Sequence, residues 1–165
     1  MFTKVIAAIL ALPLVAQLVS ADTCTRTYSA QAGDICDSIS AANNVSTYQF
    51  AVVNVGIIDE ACDNLVVGQS YCLGWQGQDC MTTYVVQQND DCDIISSAAG
   101  INTTILYENN PQIDDYCSNI YIGEVLCTAN TVQVPPAPAG TTPATSIPPT
   151  ATPANPDGDL PWCDE

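Results

Sequence analysis

A chain of 165 residues in which eighteen Asp and Glu face only Lys4 and Arg26, with no histidine, carries a formal charge of −16 at pH 7. Nucleic-acid binding depends on Lys and Arg neutralising phosphates, so that class of partner is excluded, and anionic membranes and acidic polymers are repelled. Lack of histidine also excludes Ser-His and Cys-His nucleophiles, and nine cysteines without a Cys-x-x-Cys spacing favour disulfides over zinc or any other metal.

In chain order, Lys4 is followed by an apolar run from Val5 to Val19 and by the small residues Ser20 and Ala21. This reads as a signal peptide over 1–21, and the run is shorter than the roughly twenty residues needed to span a bilayer. The expected product is secreted and extracellular, with no membrane partner. The acidic end, Asp157 to Glu165, lacks the apolar tail of a lipid-anchor signal.

Laid on itself with a shift of fifty-six, the chain matches Cys24 to Cys80, Tyr28 to Tyr84, Asp34 to Asp90, Cys36 to Cys92, Asn54 to Asn110 and Ile57 to Ile113. At a shift of fifty-five the match continues with Cys62 to Cys117, Asn64 to Asn119, Gly68 to Gly123 and Cys72 to Cys127. The chain therefore holds two copies of one unit, 24–73 and 80–128.

Within each copy, Thr27 to Gln31 and Thr83 to Gln87 read as strands. Asp34 and Asp90 are positioned to N-cap a first helix carrying Cys36 and Ile39, or Cys92 and Ile95, on its inner side. Ser46 with Gln49 resembles a capping box for a second helix with Phe50 and Val53 buried, and Asn102 is its counterpart in the second copy. Asn64 to Cys72 and Asn119 to Cys127 read as a turn into a closing strand. The order strand, helix, helix, strand makes the fold class α+β.

A module of about fifty residues buries a limited core and needs staples. If its two strands pair antiparallel, the start of the first lies beside the end of the second. That favours Cys24 with Cys72 and Cys80 with Cys127, leaving Cys36 with Cys62 and Cys92 with Cys117. Four cysteines allow three connectivities, so the others stay open at this point. From 129 to 165 the composition turns to Pro, Thr and Ala, the mark of an extended tail that builds no core.

These residues resemble a known family. Tyr28 to Cys36, with its Gly33-Asp34, is similar to the opening Tyr-x-Val-x-x-Gly-Asp-Thr of lysin motif (LysM) modules. Asn110-Pro111-Gln112-Ile113 resembles their Asn-Pro-x-Ile, and Asn64-Leu65-Val66-Val67-Gly68-Gln69 their Asn-Leu-x-x-Gly-Gln. With the cysteines added, 24–127 looks like secreted fungal LysM proteins, including effectors that bind chitin. Departures are Ile35 for Thr and Asn54-Val55-Gly56-Ile57 for Asn-Pro-x-Ile in the first copy, and Asn89-Asp90-Asp91 for Gly-Asp-Thr in the second.

The resemblance implies a βααβ unit per copy and a shallow groove for N-acetylglucosamine polymers between two loops. Mapped here, the groove is Gly33, Asp34 and Ile35 with Asn54, Val55, Gly56, Ile57 and Ile58. In the second copy it is Asn89, Asp90 and Asp91 with Asn110, Pro111, Gln112, Ile113 and Asp114. Loop N–H and C=O groups suit an acetamide, and Ile57 or Ile113 offers its methyl an apolar contact or else packs in the core. The expected function is chitin binding without cleavage and without cofactor, because the acids sit in loops of a module too small to enclose a sugar ring. The rival is a structural extracellular protein with silent grooves. Asn44 and Asn102 head N-glycosylation sequons, Cys163 is left over for an intermolecular disulfide, and Trp75 is expected to pack between the modules.

Overall fold

The computed structural model describes residues 23–141 and 147–155. The expected signal peptide, Trp162 and Cys163 lie outside them. The first copy contributes β1 (Cys24–Ser29), α1 (Cys36–Asn43), α2 (Thr47–Val53) and β2 (Ser70–Trp75). The second contributes β3 (Thr83–Val85), α3 (Cys92–Ala99), α4 (Thr103–Asn109) and β4 (Val125–Cys127). Each copy is a βααβ unit over a two-stranded antiparallel sheet, with Tyr28 opposite Tyr71 in one and Tyr84 opposite Leu126 in the other. The disulfides join Cys24 to Cys72, Cys36 to Cys62, Cys80 to Cys127 and Cys92 to Cys117.

Asp34 and Asp90 do not cap the first helices. Their carboxylates reach back to accept the N–H of Gln31 at 2.7 Å and of Gln87 at 2.6 Å, closing the turn that leaves the strand. An Asp so engaged holds the backbone in a turn and delays the helix by a residue. The cap in the second copy is Asp91, which accepts the Ile94 N–H at 2.7 Å. In the first copy that place falls to Ile35, which has no acceptor, and the Ser38 hydroxyl takes the Ile35 N–H at 3.0 Å instead.

The second helices start as their caps dictate: Ser46 accepts the Gln49 N–H at 3.1 Å and Asn102 the Ile105 N–H at 2.9 Å. Gln49 does not return the favour to Ser46. Its amide donates to Leu73 C=O at 2.7 Å and accepts the Cys80 N–H at 2.8 Å, fastening helix, strand and linker together.

The repeat register also needs a correction, because Ile57 is not the structural equivalent of Ile113. Asn64 accepts the Asp59 N–H and donates to Ile57 C=O, while Asn119 accepts the Asp114 N–H and donates to Gln112 C=O. Ile58 therefore matches Ile113, and Ile57 matches Gln112. The deleted residue falls directly after Asn54 and Asn110, inside the loop, rather than after the isoleucine.

Ala30, Ile39, Val45, Phe50, Ile58, Tyr71 and Leu73 form the first core, and Val86, Ile95, Leu106, Ile113, Ile120 and Leu126 the second. A third cluster lies between the modules: Tyr48 and Val52 of α2 pack on Cys80, Cys127, Ala129 and Val134, with Trp75 against them. Helix α2 is consequently buried on all sides, where the sequence implied one inner face. Polar bonds cross the same seam. The Thr47 hydroxyl donates to Asp37 at 3.0 Å and accepts the Val125 N–H at 3.1 Å, and the Tyr121 hydroxyl donates to Asp37 at 3.2 Å.

Linker residue Asp79 is tied down as well. Arg26 donates to it through Nε at 2.8 Å and Nη2 at 2.7 Å, and the Thr25 hydroxyl at 2.9 Å. The Asp79 carboxylate lies so close to Gly74 that a Cβ there would collide with it.

Residues 129–141 form neither helix nor strand, as their composition implies, but the expectation that the tail builds no core is corrected, because Ala129 and Val134 are buried in the seam cluster. Residues 151–154 return to the second module, where Ala154 enters the core.

Candidate functional site

Two loops come together in each module. The loop leaving the first strand ends at Cys36 or Cys92, and the loop after the second helix contains Cys62 or Cys117, so the inner disulfide clamps one loop to the other with Cα atoms 6.1 or 6.0 Å apart. Cys62 and Cys117 both adopt positive φ, 54° and 56°, so the clamp has one geometry in both copies.

In the first module Gly33, Ile35, Gly56 and Ile57 are exposed, Asp34 and Val55 are half-buried, and Asn54 and Ile58 are buried. Two isoleucines, 56% and 52% exposed, thus flank two glycines on an open surface. Gly33 and Gly56 have φ of +92° and +80° with nothing near the place of a Cβ, so their backbone is bare. Asn54 builds the site without facing it: its amide donates to Phe50 C=O and Cys72 C=O, both at 2.8 Å, and accepts the Cys72 N–H at 2.9 Å. Asp34 also accepts the Tyr28 hydroxyl at 3.0 Å, a bond that raises the Tyr28 pKa.

The second module repeats the frame with different exposure. Asn89 and Pro111 are exposed, Asp91, Gln112 and Asp114 half-buried, and Asp90, Asn110 and Ile113 buried. Asn89 takes the place of Gly33 at φ 68°, a region that asparagine tolerates better than most residues, so the altered loop keeps its course. Asn110 repeats the role of Asn54, bonding Leu106 C=O, Cys127 C=O and the Cys127 N–H, each at 2.8 Å. Asp114 accepts the N–H groups of Tyr116 and Ser118 and the Ser118 hydroxyl. Burial opposes its ionisation, but those donors prevail and hold it below the usual carboxylate range.

Gln112 does not face outward freely. Its amide donates to Glu124 at 3.0 Å, while its own Oε1 and Glu124 Oε2 are buried without a partner. Desolvation, with Asp37 nearby, pushes the Glu124 carboxyl up to about 7 despite the Gln112 bond.

The sequence reading missed Glu124 and the edge formed by Val66 and Val67. Gly68 and Gly123 make the same bond, to Ala30 C=O and Val86 C=O, so Val66 and Val67 correspond to Tyr121 and Ile122. The first pair is exposed, whereas Tyr121 is buried. The signal was present, since the shift of fifty-five aligns Gln69 with Glu124.

Two disulfide-clamped βααβ modules, each presenting a loop pair at one end of its sheet, define the class of tandem small modules with shallow faces. The LysM domain family model matches residues 28–73 and 84–128, more than half of the chain, and the chain belongs to the LysM domain family. It is 35% identical over 133 residues to a secreted LysM effector of Pochonia chlamydosporia, covering 76% of this chain and 19% of that protein. It is 29% identical over 119 residues to a non-secreted LysM effector of Gibberella moniliformis, 71% of this chain and 15% of that protein. A third relative, a probable chitinase of Penicillium expansum, is 24% identical over 145 residues, 80% of this chain and 10% of that protein. The chain thus spans a fifth or less of these curated relatives.

Proposed function

We propose that this chain binds N-acetylglucosamine oligomers of the chitin type at its module loops and does not cleave them. The observation that carries the reading is the first module's face, where exposed Ile35 and Ile57 border bare backbone at Gly33 and Gly56. An uncharged acetylated sugar asks for amide and carbonyl partners plus an apolar patch for its methyl group. The carboxylates of Asp34, Asp90 and Asp114 are occupied in shaping loops, which supports a binder over a hydrolase. The signal-peptide-like start and four intramolecular disulfides support secretion, where sequestering chitin fragments or coating a wall are fitting uses.

Retention on insoluble chitin, released by free chitooligosaccharide, is the expected result. Equal retention on cellulose, or none on chitin, refutes the proposal. Asn44 and Asn102 are exposed at helix ends and suit N-glycan attachment. Glycosidase treatment of the natively secreted protein is expected to lower its mass.

A further inference from the structure

The chain's own C-terminal segment runs against the second module. The Asn89 N–H donates to Ala154 C=O at 2.7 Å, the Ala154 N–H to Ile120 C=O at 3.1 Å, and the Ile122 N–H to Thr152 C=O at 2.8 Å, with Tyr121 and Pro153 bridged antiparallel. This is an isolated antiparallel bridge between the C-terminal segment and the loop that precedes β4. The local sequence suits it, because Pro153, which lacks an N–H, sits between the two bonding residues where no donor is required. Ala154 is 0% exposed and shares a cluster with Ile113, so a small side chain fills that space.

The segment bonds to one loop expected to hold sugar and lies beside the end of the other. It consumes the Asn89 N–H of one loop, joins through Ala154 the core cluster that holds Ile113 of the other, and with Asp114 walls a cleft of about 480 Å³ together with Pro148, Pro149 and Pro153. Tyr121, bridged to Pro153, is buried, whereas its first-module counterpart Val66 is exposed; the side chains of Asn89 and Ile122 stay exposed, as Gly33 and Val67 do in the first module.

We propose that residues 151–154 act as a built-in plug, closing the second module's face to sugar and leaving the first module as the open site. This rests on the sugar-binding reading above and names which module performs it. Displacement by a long polymer, or proteolysis within the Pro-rich segment, would unmask a second site.

The test compares the full chain with Ala154→Glu, which puts a carboxylate into the apolar space, and with a chain ending at Thr141. Calorimetry with the N-acetylglucosamine trimer, too short to bridge modules, is expected to give one bound oligomer per full chain and two per altered chain. Amide exchange at Asn89 and Ile122 is read on the same proteins without sugar, and protection is expected in the full chain and lost in both variants. Two oligomers on the full chain, or an unchanged or weakened stoichiometry after unplugging, overturns the proposal. If no protein binds the trimer, the sugar-binding reading itself fails and the plug has nothing to close. The exchange data then report separately whether the segment was docked.

Discussion

The two modules share a fold, a disulfide frame and even the left-handed residues of their loops, yet their corresponding surfaces have opposite fates. Ile57 and Val66 are exposed in the first, whereas Gln112 is tied to buried Glu124 and Tyr121 is buried in the second; Val67 and Ile122 are exposed alike. The copy that keeps the more faithful Asn-Pro-x-Ile loop is the one against which 151–154 docks. Duplication fixes the framework, because each cap, clamp and turn is local to its copy. Accessibility is set by what each copy's neighbours bring to it, so motif fidelity alone does not rank the sites.

The comparison is broken most severely through the outer disulfides. Cys24–Cys72 and Cys80–Cys127 close loops of nearly equal length, 48 and 47 residues apart, so the chain-entropy contribution is about 4 kcal/mol for each. Cys80 and Cys127 are fully buried in the seam between modules, whereas Cys24 is exposed. Replacing Cys80 and Cys127 by Ala is expected to cost more than replacing Cys24 and Cys72, by the added loss of packing. Denaturant midpoints of the two double variants decide it, and equal losses would place the seam outside the cooperative unit.

The next effect is acidic. Glu124 occupies the position of Gln69, an acid buried where the first module exposes an amide. Its carboxyl is raised from 4.5 to about 7, first by desolvation and then by Asp37, against the bonds from Gln112 and the Tyr121 backbone. A carboxyl whose folded pKa exceeds its unfolded one binds the proton more tightly when folded. The stabilisation is therefore complete below about 4.5 and is lost as pH rises through about 7, on the order of 3 kcal/mol in all. Glu124→Gln is expected to abolish that decline and to make the protein more stable at pH 8, read by thermal melts across pH. A decline that persists in the variant would assign it to Asp37, whose carboxyl desolvation also raises against the bonds from Thr47 and Tyr121.

Much of this was legible in the residues. Cysteine spacing and the period announced the duplicated unit, and antiparallel closure of each unit favoured the observed pairing. Ser46 and Asn102 marked helix starts correctly because a cap needs only its own turn. Asp34 and Asp90 misled because an Asp can serve either a helix or the preceding turn, and the Gln31 and Gln87 N–H groups took them. The burial of Tyr48, Val52 and Glu124 was invisible, since it arises where the second copy packs on the first. So was the docking of 151–154, whose Pro and Ala look like spacer until the loop before β4 receives them.

A smaller effect sets the linker clamp against the acid of the seam. Burial opposes ionisation of Asp79, but Arg26, Thr25 and Gln49 outweigh it and lower its pKa. A depressed carboxylate stabilises above its unfolded pKa and loses that contribution as pH falls through the folded value, the reverse of Glu124. Asp79→Asn is expected to cost about 2 kcal/mol at pH 7, the scale of hydrogen bonds to charged groups, and progressively less as pH falls below the unfolded carboxyl value. Urea unfolding across an acid pH series measures it.

The smallest effect separates fold from function at a single residue. Ile35 stands where Asp91 caps α3, and an isoleucine at that position leaves the orphan N–H groups of α1 without the side-chain acceptor that the second module provides. Its side chain is 56% exposed, so core packing does not offset the lost cap. Ile35→Asp should restore the bond to the Ser38 N–H and raise stability by about 1 kcal/mol. It should also remove apolar surface beside Gly33 and weaken trimer binding to the full chain. Denaturation and calorimetry on one variant thus move in opposite directions if the first module is the working face. A gain in stability with unchanged affinity would mean that Ile35 serves neither fold nor sugar, and would shift the binding surface toward Gly56 and Ile57.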